Sequence, residues 1–306
     1  MKKTLWLWFV RSAFKIMLRL LAFIPWPTAL ALGEAIGTFG FRISARYRRV
    51  GDKNLRFAYG DAMTQQQRDT IIRRVFQNFA RSALIEFLKG SKFTADEVRD
   101  WCVADSYALV DALLAQGKGM VLISAHLGNW ELLARRAAVE GYRITVVARQ
   151  GPDAAFNALT DKLRETAGYT VHPRGDSVKK LLLELRKGGI IAILPDQKSE
   201  DIFAPFFGVD TGTVAGPAVL ALKTGAPIIP MFAPRQENGK YKMVLGQPID
   251  TSSTGDRDAD ILRIMTDINS QVESIIRAYP DQWLWLHDRW KIRRPINKVD
   301  DLVKAL

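Results

Sequence analysis

The chain has 306 residues, 48% of them hydrophobic and 25% charged, which supplies enough apolar material for a packed core and excludes wholesale disorder. A net charge of +12 favours phosphate-bearing or acidic partners: nucleic acid, an anionic membrane or an acidic protein. The single cysteine, Cys102, excludes an internal disulfide and a cysteine-based zinc cluster and fits a reducing compartment; its setting in FTADEVRDWCVAD predicts a buried helical thiol.

The first segment reads MKKTLWLWFVRSAFKIMLRLLAFIPWPTALALG. Arg11, Lys15 and Arg19 recur every four residues and form one basic stripe on a helix. Leu5, Trp8, Phe9, Ala13, Ile16, Met17 and Leu20 fall largely elsewhere around it. A span needs about 20 mostly uncharged apolar residues, so this pattern favours a helix lying in the membrane interface, its cations toward lipid phosphates. Trp6 and Trp8 suit the headgroup boundary, and Pro25 and Pro27 end the helix. A true span with snorkelling cations, a cleaved signal peptide ending near Ala29-Leu30-Ala31, and an ordinary buried helix stay open as alternatives. The next stretch, FRISARYRRVGDKNLRF, carries Arg42, Arg46, Arg48, Arg49, Lys53 and Arg56. It is either a solvated helix face or a patch that holds anionic headgroups. With no repeats or long linkers, the expected organisation is a membrane-attachment segment over 1–45 and one domain over 46–306.

Thr64 and Gln67 form a capping box that opens a helix, which Gly90 stops; Thr94 and Glu97 open a short one. After residue 117 the pattern changes. Buried-strand runs at 119–125, 143–148, 189–195, 227–233 and 241–246 alternate with helical segments at 129–140, 152–167, 176–187 and 214–224. That alternation predicts an α/β fold, a mostly parallel or mixed central sheet with helices on both faces. Sites in such sheets form beyond the carboxyl ends of strands, and His126, Arg149 and Asp196 follow the first three runs.

Only three histidines occur, His126, His172 and His287. There is no G-x-S-x-G nucleophile elbow, no H-E-x-x-H, no Walker A loop and no G-x-G-x-x-G. What remains is SAHLGNWELL (124–133), a histidine with Glu131 five positions later. On a continuous helix these two would not share a face. With His126 in the strand-to-helix turn they can converge, the carboxylate fixing the tautomer and the other ring nitrogen acting as base. Such a dyad suits deprotonation of a hydroxyl that attacks a thioester directly.

Several segments together resemble the late acyltransferases of bacterial lipid A synthesis, the lauroyl/myristoyl group. They are NLRFAYG near residue 54, AHLGNWE with its His-x4-acid motif, VVARQ with Arg149, LPDQ at 194–197, FFG…T…G followed by TGAPIIP at 206–230, and QWLWLHDRW at 282–290. The resemblance runs from about residue 5 to 294. It implies a glycerolipid-acyltransferase-like fold and an inner-membrane enzyme facing the cytoplasm. The donor would be acyl-carrier protein or acyl-CoA and the acceptor a glucosamine-based lipid, with no cofactor, no metal and no nucleic acid. His126 would be the base and Glu131 its partner. Arg149 would bind phosphate or steady the thioester oxyanion. Asp196 would hold a helix N-terminus or an arginine such as Arg149. Arg289 would contact phosphate unless packing of Trp283, Trp285 and Trp290 explains its segment. Two departures, ARQGPDAAFN around Arg149 and Asp196-Gln197 where some lipid A enzymes carry Asp-His, bear on acceptor and chain length.

Overall fold

The computed structural model describes residues 20–21, 23–148, 151, 153–173 and 178–293. The stripe of Arg11, Lys15 and Arg19 lies outside them, and so does Arg149. Among the described residues no helix is long and apolar enough to cross a membrane.

The prolines expected to end one helix also begin another. Helix α1 (Trp26–Ile43) has Pro25 as N-cap and Pro27 in its first turn, positions where a missing N–H costs nothing. Its buried positions are Ala29, Gly33 and Gly37. A Cβ on Gly37 would lie 2.5 Å from both the Gln77 Cα and the Phe76 carbonyl, so this face must be small for the helices to cross. The described part of the expected attachment segment is thereby docked on the α/β body. Helix α2 (Ala45–Tyr59) buries Asn54 and Leu55. Asn54 Nδ2 donates to the Trp285 carbonyl (2.8 Å) and the His287 carbonyl (2.6 Å), tying α2 to the C-terminal segment.

Helix α3 (Gln65–Phe79) opens on the Thr64–Gln67 capping box. It runs through a π-helical stretch, Ala80–Glu86, into α4 (Phe87–Gly90), so the stop at Gly90 holds. Helix α5 (Ala95–Trp101) opens on the Thr94–Glu97 box. Cys102 is fully buried but sits in a two-residue strand, β1 (Cys102–Val103), which pairs with β9 (Tyr241–Lys242). The helical setting expected for this thiol is therefore corrected, because α5 ends one residue earlier.

The central sheet contains β2 (Met120–Ile123), β3 (Ile144–Ala148), β4 (Thr170–Pro173), β5 (Ile190–Ile193), β8 (Ile228–Phe232) and β10 (Val244–Leu245). Their order is β10-β8-β2-β5-β3-β4, parallel except for the edge strand β10. A separate hairpin joins β6 (Ile202–Phe206) to β7 (Val209–Thr213). Strand residues divide by parity between two cores. Val121, Ile123, Ile191, Ile193, Ile228 and Phe232 face one core, packed by α10 (Gly216–Thr224) and α11 (Arg257–Ala278). Met120, Leu122, Ile190, Ala192, Ile229 and Met231 face the other, covered by α5, α6 (Ala108–Leu114) and α7 (Trp130–Val139). Helices α8 (Ala154–Thr166) and α9 (Val178–Arg186) complete the alternation through β3, β4 and β5.

Candidate active site

Register decides which acid meets His126. Strands β2 and β5 are neighbours, with Ile123 paired to Ile193. His126 and Asp196 each stand three residues beyond that pair, so the two turns leave the sheet side by side. Asp196 Oδ1 lies 2.8 Å from His126 Nδ1. Asp196 Oδ2 accepts from the His126 backbone N–H and from Trp283 Nε1, both at 2.8 Å. A carboxylate only accepts, so Nδ1 carries the proton and Nε2 is left as the base.

The expected pairing of His126 with Glu131 is corrected. Glu131 is in the first turn of α7, its carboxylate turned to α8 and the residues before β4. Arg164 donates from Nη2 to Oε1 (2.6 Å) and from Nε to Oε2 (3.1 Å), and the Tyr169 hydroxyl donates to Oε2 (2.5 Å). The sequence did place both residues correctly relative to the turn: His126 precedes the helix, and Asn129 caps it by accepting from the Leu132 N–H at 2.9 Å. What the spacing could not show is that Arg164 and Tyr169, more than 30 residues away, claim the carboxylate.

Electrostatics follow the same division. Burial alone would lower the His126 pKa, but the charge and hydrogen bond of Asp196, with the field of Glu131, hold it above the ordinary imidazole value. Burial would raise Asp196; His126 and the Trp283 N–H outweigh it and keep the carboxyl below its usual range. Tyr169 is pushed up by burial and by the Glu131 charge, so its hydroxyl stays a donor.

The turn is braced from several sides. Gly128 has φ 61°, and a Cβ there would lie 2.0 Å from the Ala233 carbonyl, which explains the glycine of the HLGN turn. Asn129 Nδ2 donates to Glu86 Oε2 (2.7 Å), as does the Tyr241 hydroxyl (2.6 Å), and Arg235 pairs with the other oxygen at 3.0 Å. Glu86 closes the π-helical stretch, so that irregularity positions an anchor for the histidine turn. The Leu284 N–H donates to the His126 carbonyl at 3.0 Å.

His126 opens onto a cavity of about 480 Å³, within the usual range for ligand sites. Leu122, Leu133, Ile144, Val146, Ala192 and Leu194 give it an apolar lining, Phe79, Leu84 and Phe156 stand where it meets solvent, and Ser124, Glu131, Arg164 and Gln197 add polar groups. Arg289 is not among them. It is fully buried, donating to the Gly212 carbonyl (2.6 Å) and the Thr213 hydroxyl (2.8 Å), and burial lowers its pKa to about 10. The substrate contact expected of Arg289 is thus corrected to a clamp on β7, beside the fully enclosed rings of Trp285 and Trp290 and nearly enclosed Trp283. Arg149 lies outside the described residues, although its neighbour Ala148 lines the cleft.

The profile of the bacterial lipid A biosynthesis acyltransferases matches residues 3–292. The chain belongs to this family. It is 25% identical over 274 residues to the lipid A biosynthesis lauroyltransferase of Escherichia coli K12, covering 88% of this chain and 87% of that protein. Identity to a lipid A biosynthesis acyltransferase of Haemophilus influenzae is also 25%, over 90% of this chain and 86% of that one. A phosphatidylinositol mannoside acyltransferase of Mycolicibacterium smegmatis is 28% identical over 278 residues, 87% of this chain and 88% of that protein. As a member of this family the chain is an O-acyltransferase, and the His126 cleft is where its geometry fits that chemistry.

Proposed function

We propose that the chain moves a fatty-acyl group from an acyl thioester to a hydroxyl of a lipid A precursor, at the cytoplasmic face of the bacterial inner membrane. The observation that carries this reading is a carboxylate-held imidazole at the polar end of an apolar cleft. The acyl chain lies along Leu122, Ile144, Val146 and Ala192. Nε2 of His126 takes the proton of the lipid hydroxyl, and Asp196 stabilises the imidazolium that forms. The alkoxide attacks the thioester carbonyl, and the thiolate leaves with that proton. Glu131, with both oxygens bonded to Arg164 and Tyr169, fixes the cleft wall and adds negative field at the imidazolium. Arg149, directly after β3, is assigned to a phosphate of donor or acceptor.

Membrane attachment is supported by the outer face of α1. Leu32, Ile36, Phe39 and Ile43, at helical spacing, are all exposed, with Phe39 at 62% and Ile43 at 64%, and Phe23 ahead of them at 87%. That stripe follows the basic, tryptophan-bearing first segment, and exposed Arg42 and Arg46 border it, as a helix at a lipid surface requires. The positive charge also suits an acidic carrier protein as donor.

The test is transfer of a lauroyl group from acyl-carrier protein or coenzyme A to a lipid A precursor by purified protein. His126→Ala is expected to lose about 10²–10⁴-fold in kcat while staying folded, the range a general base contributes. Full activity in a folded His126→Ala protein overturns the mechanism. The mycobacterial relatives favour a second acceptor, a phosphatidylinositol mannoside, and running both lipids in parallel assigns the acceptor.

A further inference from the structure

A thioester carbonyl attacked by an alkoxide becomes an oxyanion, and a water-poor cleft must offer it hydrogen-bond donors. Most polar side chains around the cleft are committed elsewhere. Arg164 bonds to Glu131 and Asp161, and the Thr160 hydroxyl to the Phe156 and Asn157 carbonyls.

Ser124 differs. It is 2% exposed, one residue past β2, and lines the cleft. Leu122 faces the cleft and Ile123 the opposite core, so alternation returns Ser124 to the cleft side. Among the described residues its hydroxyl has no hydrogen-bond partner. Burying a hydroxyl with nothing to bond is unfavourable, and such a group in a native fold calls for an explanation. Beyond the neighbouring strand, Gln197 lines the same cleft with its amide nitrogen 3.4 Å from His126 Nε2. Both donors line the cleft onto which the base opens, one from each turn.

We infer that the Ser124 hydroxyl and the Gln197 amide form the oxyanion site of the cleft, an assignment that rests on the acyl-transfer reading above. The lipid oxygen gives its proton to Nε2 and bonds to the carbonyl carbon. The C=O π pair moves onto oxygen, where Ser124 and Gln197 donate to it. Collapse re-forms the carbonyl, breaks the C–S bond, and releases the thiol with the proton held by His126. Before substrate arrives Gln197 lies within reach of the base, and it turns to the carbonyl oxygen as the acceptor hydroxyl takes its place.

The test is steady-state kinetics of Ser124→Ala, Ser124→Cys and Gln197→Ala in the full chain, with lauroyl acyl-carrier protein and a lipid A precursor, alongside wild type and His126→Ala. Ser124→Ala is expected to lose about 10²-fold in kcat with KM for the thioester little changed, the scale of one oxyanion donor. Its thermal midpoint is expected to equal or exceed wild type, since the deleted hydroxyl has no partner, and its kcat–pH profile to keep its shape. Ser124→Cys, of similar shape but a weak donor, is expected to fall with it, and Gln197→Ala to lose about tenfold or more. Wild-type kcat in Ser124→Ala, or an acyl group found on Ser124 by intact-protein mass spectrometry, overturns the inference. Absence of transfer by wild type, or retention by His126→Ala, instead overturns the acyl-transfer reading beneath it.

Discussion

Two carboxylates influence one imidazole, and their surroundings give them opposite work. Asp196 stands on the neighbouring strand's turn, nearly sealed from solvent, with one oxygen on the ring and the other on two N–H donors. Glu131 stands on the helix after the histidine, its oxygens spent on a guanidinium and a phenol. Proximity in sequence thus belongs to the acid bonded to Arg164 and Tyr169, and proximity in register to the acid bonded to the imidazole. In a parallel sheet the residues that meet at an edge come from different strands, so a site is read across strands rather than along one.

The contrast is broken most severely at Asp196. In Asp196→Asn the two N–H donors facing Oδ2 need an oxygen, so the amide carbonyl takes that side and the NH2 turns to Nδ1. The ring must then accept at Nδ1 and carry its proton on Nε2, which removes the base. The expected loss in kcat is about 10²–10⁴-fold. The remaining activity is expected to show an acid limb shifted to lower pH, because the carboxylate that raises the His126 pKa is gone. A kcat–pH profile of the variant checks both, and an unmoved limb would detach Asp196 from the base.

Glu131→Gln is expected to act first on stability. An amide cannot satisfy Arg164 and Tyr169 together, and leaving a largely buried guanidinium poorly paired costs on the order of 1–3 kcal/mol. The loss in kcat is expected to be about tenfold, well short of Asp196→Asn. A double-mutant cycle with Arg164→Met sharpens the distinction. If Glu131 serves the wall, Glu131→Gln costs little more once Arg164 is gone, as read by denaturant midpoints. An additive result would return Glu131 to a direct role at the ring.

Much of the frame was legible. The five buried-strand runs are strands, with 241–246 divided into β9 and β10, and the four helices between them fall within about two residues of their expected bounds, because hydrophobic pattern and Gly stops agree there. Both capping boxes form as spelled. Strand β4, exposed at both ends and only half-buried in the middle, and α11, the longest described helix, gave no expectation, and α2 was foreseen only as a helix face. The small-residue side of α1 is visible in sequence as Ala29, Gly33 and Gly37, but only packing on α3 gives it meaning. At the site, His126 and its turn were readable and its true partner was not: Asp196 was assigned to a helix end or an arginine. Nothing local says that Ile123 lies opposite Ile193, and nothing in HDRW says that Arg289 turns inward to β7. Pairing register and long-range hydrogen bonds are properties of the assembled sheet.

The two histidines flanking Asp196 extend the comparison to the smallest expected effect. His287 Nε2 accepts from the Lys198 N–H at 3.3 Å, and burial pushes its pKa from 6.5 to about 4. Between those values the unfolded chain takes up a proton that the folded ring refuses. His287 therefore lowers stability as pH falls from about 6.5 toward 4. His126 has the opposite sign: its raised pKa contributes stability that is complete below 6.5 and lost as pH rises through the folded value. Thermal midpoints across pH separate them. His287→Gln, whose amide oxygen can still accept from Lys198, is expected to flatten the decline below pH 6.5 and leave the alkaline side unchanged. His126→Gln is expected to flatten the decline that sets in as pH rises through the folded His126 value and, by taking away the partner that lowers Asp196, to change the far acid end as well. A His287→Gln curve running parallel to wild type through the acid range would mean that the ring is solvated enough to take a proton in place. The neutral acceptor that holds Lys198, and with it the Gln197 turn, would then have to be found elsewhere.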